Sequence, residues 1–388
     1  MKEFTLFEAF MKPLTQDLIE ESIKRFDADH YCKTFKTKGH LISMAYAQLQ
    51  GLQSLRDLEI AFNSQKKLRV LLECGEVRRS TLSDANRHRP FKCFLWIAEK
   101  LMSFLPRKIR QEVNLVVRKL DSSPIQLRGK CYDSWTWANR SPRSQGLKLH
   151  IEYDGELEMP MRVRITPANR DDCRVGQEWP MLSKTVYVFD KGYYDFNWWW
   201  AIHQKGAFFV TRLKHNAAFK KVKDLPVCGE KIREDSLFVL KNKCPRGGKK
   251  NKYTDPMRRV VVNREEKEKP LVLVSNLTEA PAEVIADLYK ERWGIELFFK
   301  WIKQNLKIRK FLGRSENAVK IQLAVALIVY LLLGIFKWTF NHPYSLRHLL
   351  IWIKYNIYEN GNIYKIMKPP GSPLAKDQVQ FQAQGCQL

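Results

Sequence analysis

Residues Tyr289-Lys-Glu-Arg292-Trp-Gly-Ile-Glu296, followed by Lys303, set a phenol, a guanidinium, a carboxylate and an ammonium in the pattern Y-x2-R-x3-E-x6-K. On an α-helix, at about 100° per residue, Arg292, Glu296 and Lys303 fall near 300°, 340° and 320° from Tyr289. The four side chains then share a stripe roughly 60° wide and about 21 Å long. A carboxylate in such a stripe can hold a divalent cation, while Arg, Lys and Tyr grip phosphate oxygens on either side. This suits a metal-dependent cut in a DNA backbone. The same spacings also describe a solvated face supported by i,i+4 pairs. Trp293, Ile295, Leu297, Phe298, Phe299, Trp301 and Ile302 make the other sides apolar, which predicts a buried helix whose polar stripe faces a cleft.

Two more carboxylates stand where chemistry gathers. Asp121 ends the β-branched run 116–120, and Asp190 ends the run 185–189. Side chains at strand C-termini of α/β sheets converge on a crevice. An isolated Asp there more often serves a turn or cap, but two of them with the helical stripe favour a site. Together with Glu296 they could hold two Mg²⁺ ions about 4 Å apart, one activating a water or 3′-hydroxyl and one stabilising the leaving 3′-oxygen. The empty carboxylates repel one another, and bound cations remove that penalty.

The elements that must position these residues follow from periodicity. Residues 1–105 read as helical, with an amphipathic run over 40–62. At 77–90, Ser80 is expected to N-cap a short helix among Arg78, Arg79, Arg87, His88 and Arg89. Such a helix can sit on phosphates or enter a major groove, or be a solvated capped helix. From Val113 the period becomes that of strands: 116–121, then 147–154 and 159–166 paired about a turn at Gly155, then 185–190, a helix, and 207–213. This order describes an α/β layer structure. Residues 215–275 read as a β-rich insertion whose basic loop at 241–252, including Lys249 and Lys250, touches DNA or is disordered. Two helices follow, at 282–307 and 316–338, and the tail from Pro369 is expected to be disordered.

Composition narrows the class. The chain has 388 residues, with Lys+Arg 67 against Asp+Glu 41, a formal charge of +26. That surplus, spread along the chain, points to a polyanionic partner, nucleic acid foremost. Hydrophobic content of 45% excludes a largely disordered protein. The eight cysteines include no C-x2-C pair, which argues against a zinc site or disulfide framework and for a reducing cytoplasm. The apolar run 323–336 has the length of a core helix and is short for a bilayer span. No secretory signal is read at the N-terminus.

In order along the chain, Leu120-Asp121-Ser-Ser, Gly146-Leu-Lys148-Leu-His150, Asp190-Lys191-Gly192-Tyr193, the Tyr289-to-Lys303 signature and Phe311-Leu-Gly313-Arg-Ser315-Glu-Asn317 resemble the motifs of one family. It is the DDE transposases of bacterial insertion sequences, of the type called insertion sequence family four. The N-terminal Ser54-Leu-Arg56-Asp57-Leu and Ser80-Thr-Leu-Ser-Asp84-Ala-Asn86 resemble the helical region of one subgroup. The match covers roughly residues 120–338. The resemblance implies an RNase H-like mixed sheet with helices, interrupted by the β-rich insertion and preceded by a helical N-terminal domain. The expected divisions are a DNA-binding domain at 1–105, a catalytic core at 113–214 and 276–340, the insertion at 215–275 and a C-terminal region at 341–388.

By the same resemblance, Asp121, Asp190 and Glu296 are the catalytic and metal-binding triad, with Mg²⁺ as the metal and Mn²⁺ able to substitute. Tyr289, Arg292 and Lys303 would contact backbone phosphates, with Lys148, Arg78, Arg79, Arg87, Lys249 and Lys250 as further DNA-binding residues. The implied activity is cut-and-paste transposition: cleavage at terminal inverted repeats, then attack of the 3′-hydroxyl on target DNA. A homodimer on paired ends, in a bacterial cytoplasm at the nucleoid, is implied as well. Some relatives form a hairpin and hold a flipped base on a Trp of the insertion. Here Trp198, Trp199 and Trp200 precede it, no Trp lies between Trp200 and Trp293, and the three are expected to pack as core. The rival readings are a domesticated, non-catalytic DNA-binding protein and another RNase H-like nuclease.

Overall fold

The structure, a computed structural model, describes residues 4–71, 73–141, 144–227, 230–241, 250–264, 270–306, 308 and 310–361. The tail expected to be disordered, Lys249 and most of the basic loop lie outside these residues. The N-terminal region holds β1 (Phe4–Thr5) and helices α1 (Leu6–Met11), α2 (Gln16–Phe26), α3 (Thr37–Gln50), α4 (Leu55–Asn63), α5 (Lys66–Leu71), α6 (Arg79–His88) and α7 (Phe91–Ser103). The amphipathic run over 40–62 divides between two helices, α3 and α4. Gly51, at φ 68, ends α3 in the left-handed conformation, and the Ser54 side chain accepts from the Asp57 N–H to begin α4.

Next come β2 (Ile109–Arg110), β3 (Leu115–Gln126), α8 (Asp133–Thr136), β4 (Gly146–Asp154), β5 (Met159–Pro167), α9 (Asp172–Glu178), β6 (Thr185–Phe189), α10 (Phe196–Gln204) and β7 (Phe208–Arg212). The strands β8 (Phe219–Asp224), β9 (Ile232–Leu240), β10 (Met257–Val262) and β11 (Leu271–Ser275) follow. The chain continues with α11 (Ala282–Lys290), α12 (Trp293–Asn305), α13 (Glu316–Thr339), α14 (Leu346–Asn356) and β12 (Asn360–Gly361). One sheet runs β5-β4-β3-β6-β7-β11-β10-β9-β8, with β2 on β3. The β3, β4 and β5 pairings are antiparallel, and β3–β6 and β6–β7 are parallel. This is the expected RNase H-like mixed sheet. Parallel neighbours need a crossover, and α10 provides it between β6 and β7. The strands of 215–275 extend this sheet outward, because β11 pairs with β7.

Burial explains the patterns. In β6, Val186 and Val188 pack in one core with Ile285 and Leu288 of α11, while Tyr187 and Phe189 pack in another with Trp198 and Trp199 of α10. Covered on both faces, β6 reads as an unbroken apolar run. Trp198 and Trp199 are core residues, as expected, while Trp200 is half-buried against the same core. A third core joins α12, α13 and one face of β3–β5 to the N-terminal helices. At its centre, α13 is long and apolar enough to cross a bilayer, yet 89% of its most apolar stretch is buried inside the protein, with α7, α3, α14 and α6 packed on it. Gly146, which opens β4, has φ +124, and a Cβ there would lie 2.5 Å from the Ile125 carbonyl oxygen. Only glycine fits this close approach, which accounts for the first residue of the Gly-Leu-Lys-Leu-His motif.

Candidate active site

β3 and β6 run side by side, with Leu120 opposite Phe189 as their last pair. Asp121 and Asp190 follow directly, on strands roughly 4.8 Å apart. Both share the face occupied by Val117, Val186 and Val188, since side chains alternate. Asp190 ends its strand as expected. Asp121 does not: β3 continues to Gln126, because β4 keeps pairing it from Asp121–Ile151 to Gln126–Gly146. The Asp190 carboxylate turns back to accept the Gly192 N–H at 2.7 Å, and a Cβ on Gly192 would lie 2.8 Å from that oxygen. The Asp-Lys-Gly spacing thus sets the orientation of this side chain.

The helix expected over 282–307 is broken. It divides into α11 and α12, joined by Glu291 and Arg292. Across the join, Gly294 N–H bonds to Glu291 O at 2.9 Å and Ile295 N–H to Arg292 O at 3.1 Å. These i→i+3 bonds wind the turn more tightly than an α-helix, and Gly294 adds a poor helix former. Tyr289 therefore lies beneath the site, 8% exposed, rather than along one open stripe. Ile295, Phe298, Phe299 and Ile302 are buried, whereas Trp293 and Leu297 are 59% and 51% exposed beside Glu296. The expectation of a helix buried on all but its polar stripe holds only on the inner side.

The break brings Arg292 between two carboxylates. Its Nη2 donates to Glu296 Oε1 at 2.5 Å and its Nη1 to Asp121 Oδ2 at 3.3 Å. Its guanidinium also stands 5.7 Å from the centre of the Tyr289 ring. Burial pushes the Asp121 carboxyl up to about 7, with Asp190 and Glu296 adding to the rise, while the Ser122 N–H and Arg292 oppose it. Burial also raises the Tyr289 phenol, so it stays a neutral donor. Lys303 Nζ donates to Ser123 Oγ at 2.5 Å, two residues beyond Asp121 on the same face. Among the described residues, no three acidic, His or Cys side chains are gathered closely enough to grip a metal ion; Arg292 takes the place between Asp121 and Glu296. The oxygen-only donor set and the carboxyl held near neutral pH fit a hard divalent cation.

Other sequence candidates lie apart from this cluster. Lys148 is on the opposite face of the sheet, where its Nζ donates to Asp172 Oδ1 at 3.0 Å and to Arg170 O at 2.8 Å. Asp172 also accepts from Ser122 Oγ at 2.8 Å and faces His150 Nδ1 at 3.5 Å; burial pushes that imidazole down to about 4. Sequence reasoning missed Asp172, Ser123 and Glu291; only the Asp171-Asp172 pair, a helix-start signature, offered a local signal. Arg78, Arg79 and Arg87 are exposed. Helix α6 begins at Arg79 with Arg78 as its cap and no side-chain capping bond. Ser80, expected as the cap, therefore lies inside the helix, whose buried residues are Leu82 and Asn86. Lys250 is exposed.

An RNase H-like sheet with aspartates side by side on adjacent parallel strands, faced by a helical glutamate, defines a DDE-type nucleic-acid enzyme frame. A family model described as "Transposase DDE domain" matches residues 115–332, and one described as "Domain of unknown function (DUF4372)" matches residues 2–71. The chain belongs to the DDE transposase family and is a DNA transposase, a DNA-cleaving enzyme of a family that uses divalent metal ions. It is 37% identical over 292 residues to "Putative transposase y4zB" of Sinorhizobium fredii, spanning 74% of this chain and 80% of that one. It is 30% identical over 264 residues to "Probable transposase for insertion sequence element IS5377" of Geobacillus stearothermophilus, spanning 68% and 67%. The piggyBac transposase, solved by cryo-EM as a synaptic complex with hairpin DNA, shares the fold at a TM-score of 0.52 and 10% identity, over 92% of this chain and 80% of that one.

Proposed function

We propose that Asp121, Asp190 and Glu296 are the metal-binding triad with which this transposase cuts the terminal inverted repeats of an insertion sequence and joins the freed 3′-hydroxyl to target DNA. The observation that carries this reading is Arg292 spanning Asp121 and Glu296, with Asp190 following Phe189 beside Asp121. Two Mg²⁺ ions, or Mn²⁺ in their place, would supply Lewis acidity at the scissile phosphate when bound. The chain's own part is to bind and orient. Arg292 leaves the carboxylates to fork onto a backbone phosphate, Tyr289 donates its phenolic proton to a phosphate oxygen, and Lys303 neutralises charge beyond it. Region 1–105 is the reader of the element's end, a reading supported by exposed Arg79 and Arg87 on α6 and Arg78 at its cap, with Lys148, Lys249 and Lys250 as further cations toward DNA. The protein acts as a homodimer on paired ends at the nucleoid, with residues 113–214 and 276–340 as its catalytic core, 215–275 as its β-rich insertion and 341–388 as its C-terminal region.

The test is single-turnover cleavage of a labelled duplex carrying the element's end, with Mg²⁺ or EDTA. Glu296→Gln keeps the side-chain shape and should slow nicking at the repeat boundary by about a thousandfold or more, roughly 4 kcal/mol, with DNA binding retained. Binding without cutting in both proteins would indicate a domesticated DNA-binding protein. Cutting that ignores the end sequence would indicate a general nuclease.

A further inference from the structure

The four signature residues leave Glu291 without a role, yet it occupies the join between α11 and α12. Its neighbour Arg292 turns toward the acidic cluster, and Glu291 turns the other way. Arg110 Nη1, from β2, donates to Glu291 Oε1 at 2.5 Å. Lys119 Nζ, from β3, stands 3.7 Å from Glu291 Oε2. Lys119 is only 4% exposed and lies on the same strand face as Asp121, two residues before it. A Cβ at Gly155 would overlap that ammonium, so it lies against bare backbone in the turn after β4. A buried ammonium with space made for it, facing a carboxylate at the helix join, is a built contact rather than a chance surface pair.

We propose that Glu291 is a positioning residue: sharing its carboxylate between Arg110 and Lys119, it pins the α11–α12 join so that Arg292 and Glu296 face Asp121. This rests on the triad reading given above. The lever is short, because Glu296 lies in the first turn of α12. At 39% side-chain exposure, the pair with Arg110 contributes little to stability, about 0–1 kcal/mol for pairs of this kind. A displacement of about 1 Å in a catalytic group, by contrast, can slow a reaction on the order of a hundredfold. Glu291 should therefore matter to rate far more than to folding.

Glu291→Gln, Glu291→Ala, Arg110→Ala and the double variant Arg110→Ala/Glu291→Ala would be compared with wild type and Glu296→Gln. Four quantities are read: single-turnover cutting of the labelled end duplex, Mn²⁺ affinity of the protein–duplex complex by electron paramagnetic resonance, duplex affinity, and melting temperature. The expected result for Glu291→Gln is cutting slowed about ten- to a hundredfold and Mn²⁺ bound several-fold more weakly, with melting temperature and duplex affinity nearly unchanged. The double variant should be no slower than Glu291→Ala, because both residues act through one contact. Wild-type cutting and Mn²⁺ affinity in Glu291→Gln, with Glu296→Gln inactive, would overturn the positioning role and leave the triad standing. A parallel fall in rate, duplex binding and melting temperature would reduce Glu291 to a folding contact. Full activity in Glu296→Gln would remove the triad itself.

Discussion

Asp121→Asn is expected to slow strand cleavage by about a thousandfold or more and, at the same time, to make the metal-free protein more stable at pH 8. Both effects come from one carboxyl. Burial, reinforced by Asp190 and Glu296, holds it at about 7, against about 3.9 in an unfolded chain. The folded state therefore binds this proton more tightly than the unfolded state. The cost of ionising Asp121 is absent below about pH 4, grows between about pH 4 and 7, and is complete above about pH 7. Asparagine carries no charge, so the variant escapes that cost while losing the contact with Arg292. The net gain at pH 8 should be about 1–3 kcal/mol. Urea denaturation at pH 5 and pH 8 in EDTA measures it: the variant's midpoint should exceed wild type's at pH 8, and the difference should shrink at pH 5. Added Mn²⁺ should stabilise wild type alone. Identical midpoints at both pH values would mean that the site stores no such repulsion.

Arg292→Ala should be nearly as damaging to function, by a different route. This guanidinium touches Asp121 and Glu296 at once, and in the proposed complex it forks onto a phosphate. Its loss removes a bidentate phosphate donor and leaves the carboxylates unopposed in the free protein. Cutting should fall on the order of a hundredfold, about 2.7 kcal/mol. The slope of log binding constant against log salt concentration should become shallower by about 0.9, one phosphate contact fewer. Fluorescence anisotropy of the end duplex across a salt series measures that slope. Arg292→Lys should not restore cutting, since a single ammonium cannot reproduce the planar fork. An unchanged salt slope in Arg292→Ala would remove the phosphate role.

Much of the site was legible from the sequence because its chemistry follows local periodicity. The runs before Asp121 and Asp190 read as strands, and the parallel register of β3 and β6 places the two carboxylates together. Other features depended on contacts distant in sequence. Asp121 lies within a strand rather than at its end because β4, some twenty residues on, keeps β3 in the ladder. The break at Glu291 and Arg292 carried one local signal, Gly294, while the partners of Glu291, Arg110 and Lys119, lie far upstream. Asp172 approaches Ser122, Lys148 and His150 only after β4, β5 and α9 have folded back. The N-terminal helices share one core with α13, which composition could not reveal because the partners are separated by more than two hundred residues. Lys148, named from the sequence only as a further DNA-binding residue, is set by strand alternation on the sheet face away from the signature residues.

In the proposed mechanism Asp121, Asp190 and Glu296 converge on divalent metal once Arg292 is drawn onto DNA. Anomalous diffraction from Mn²⁺ in crystals of the protein bound to its end duplex tests this directly. Metal peaks are expected about 2.1 Å from carboxylate oxygens of all three residues, with the Arg292 guanidinium on a backbone phosphate. Metal bound away from these carboxylates, or Arg292 still bridging Asp121 and Glu296 in a complex competent to cut, would contradict that mechanism.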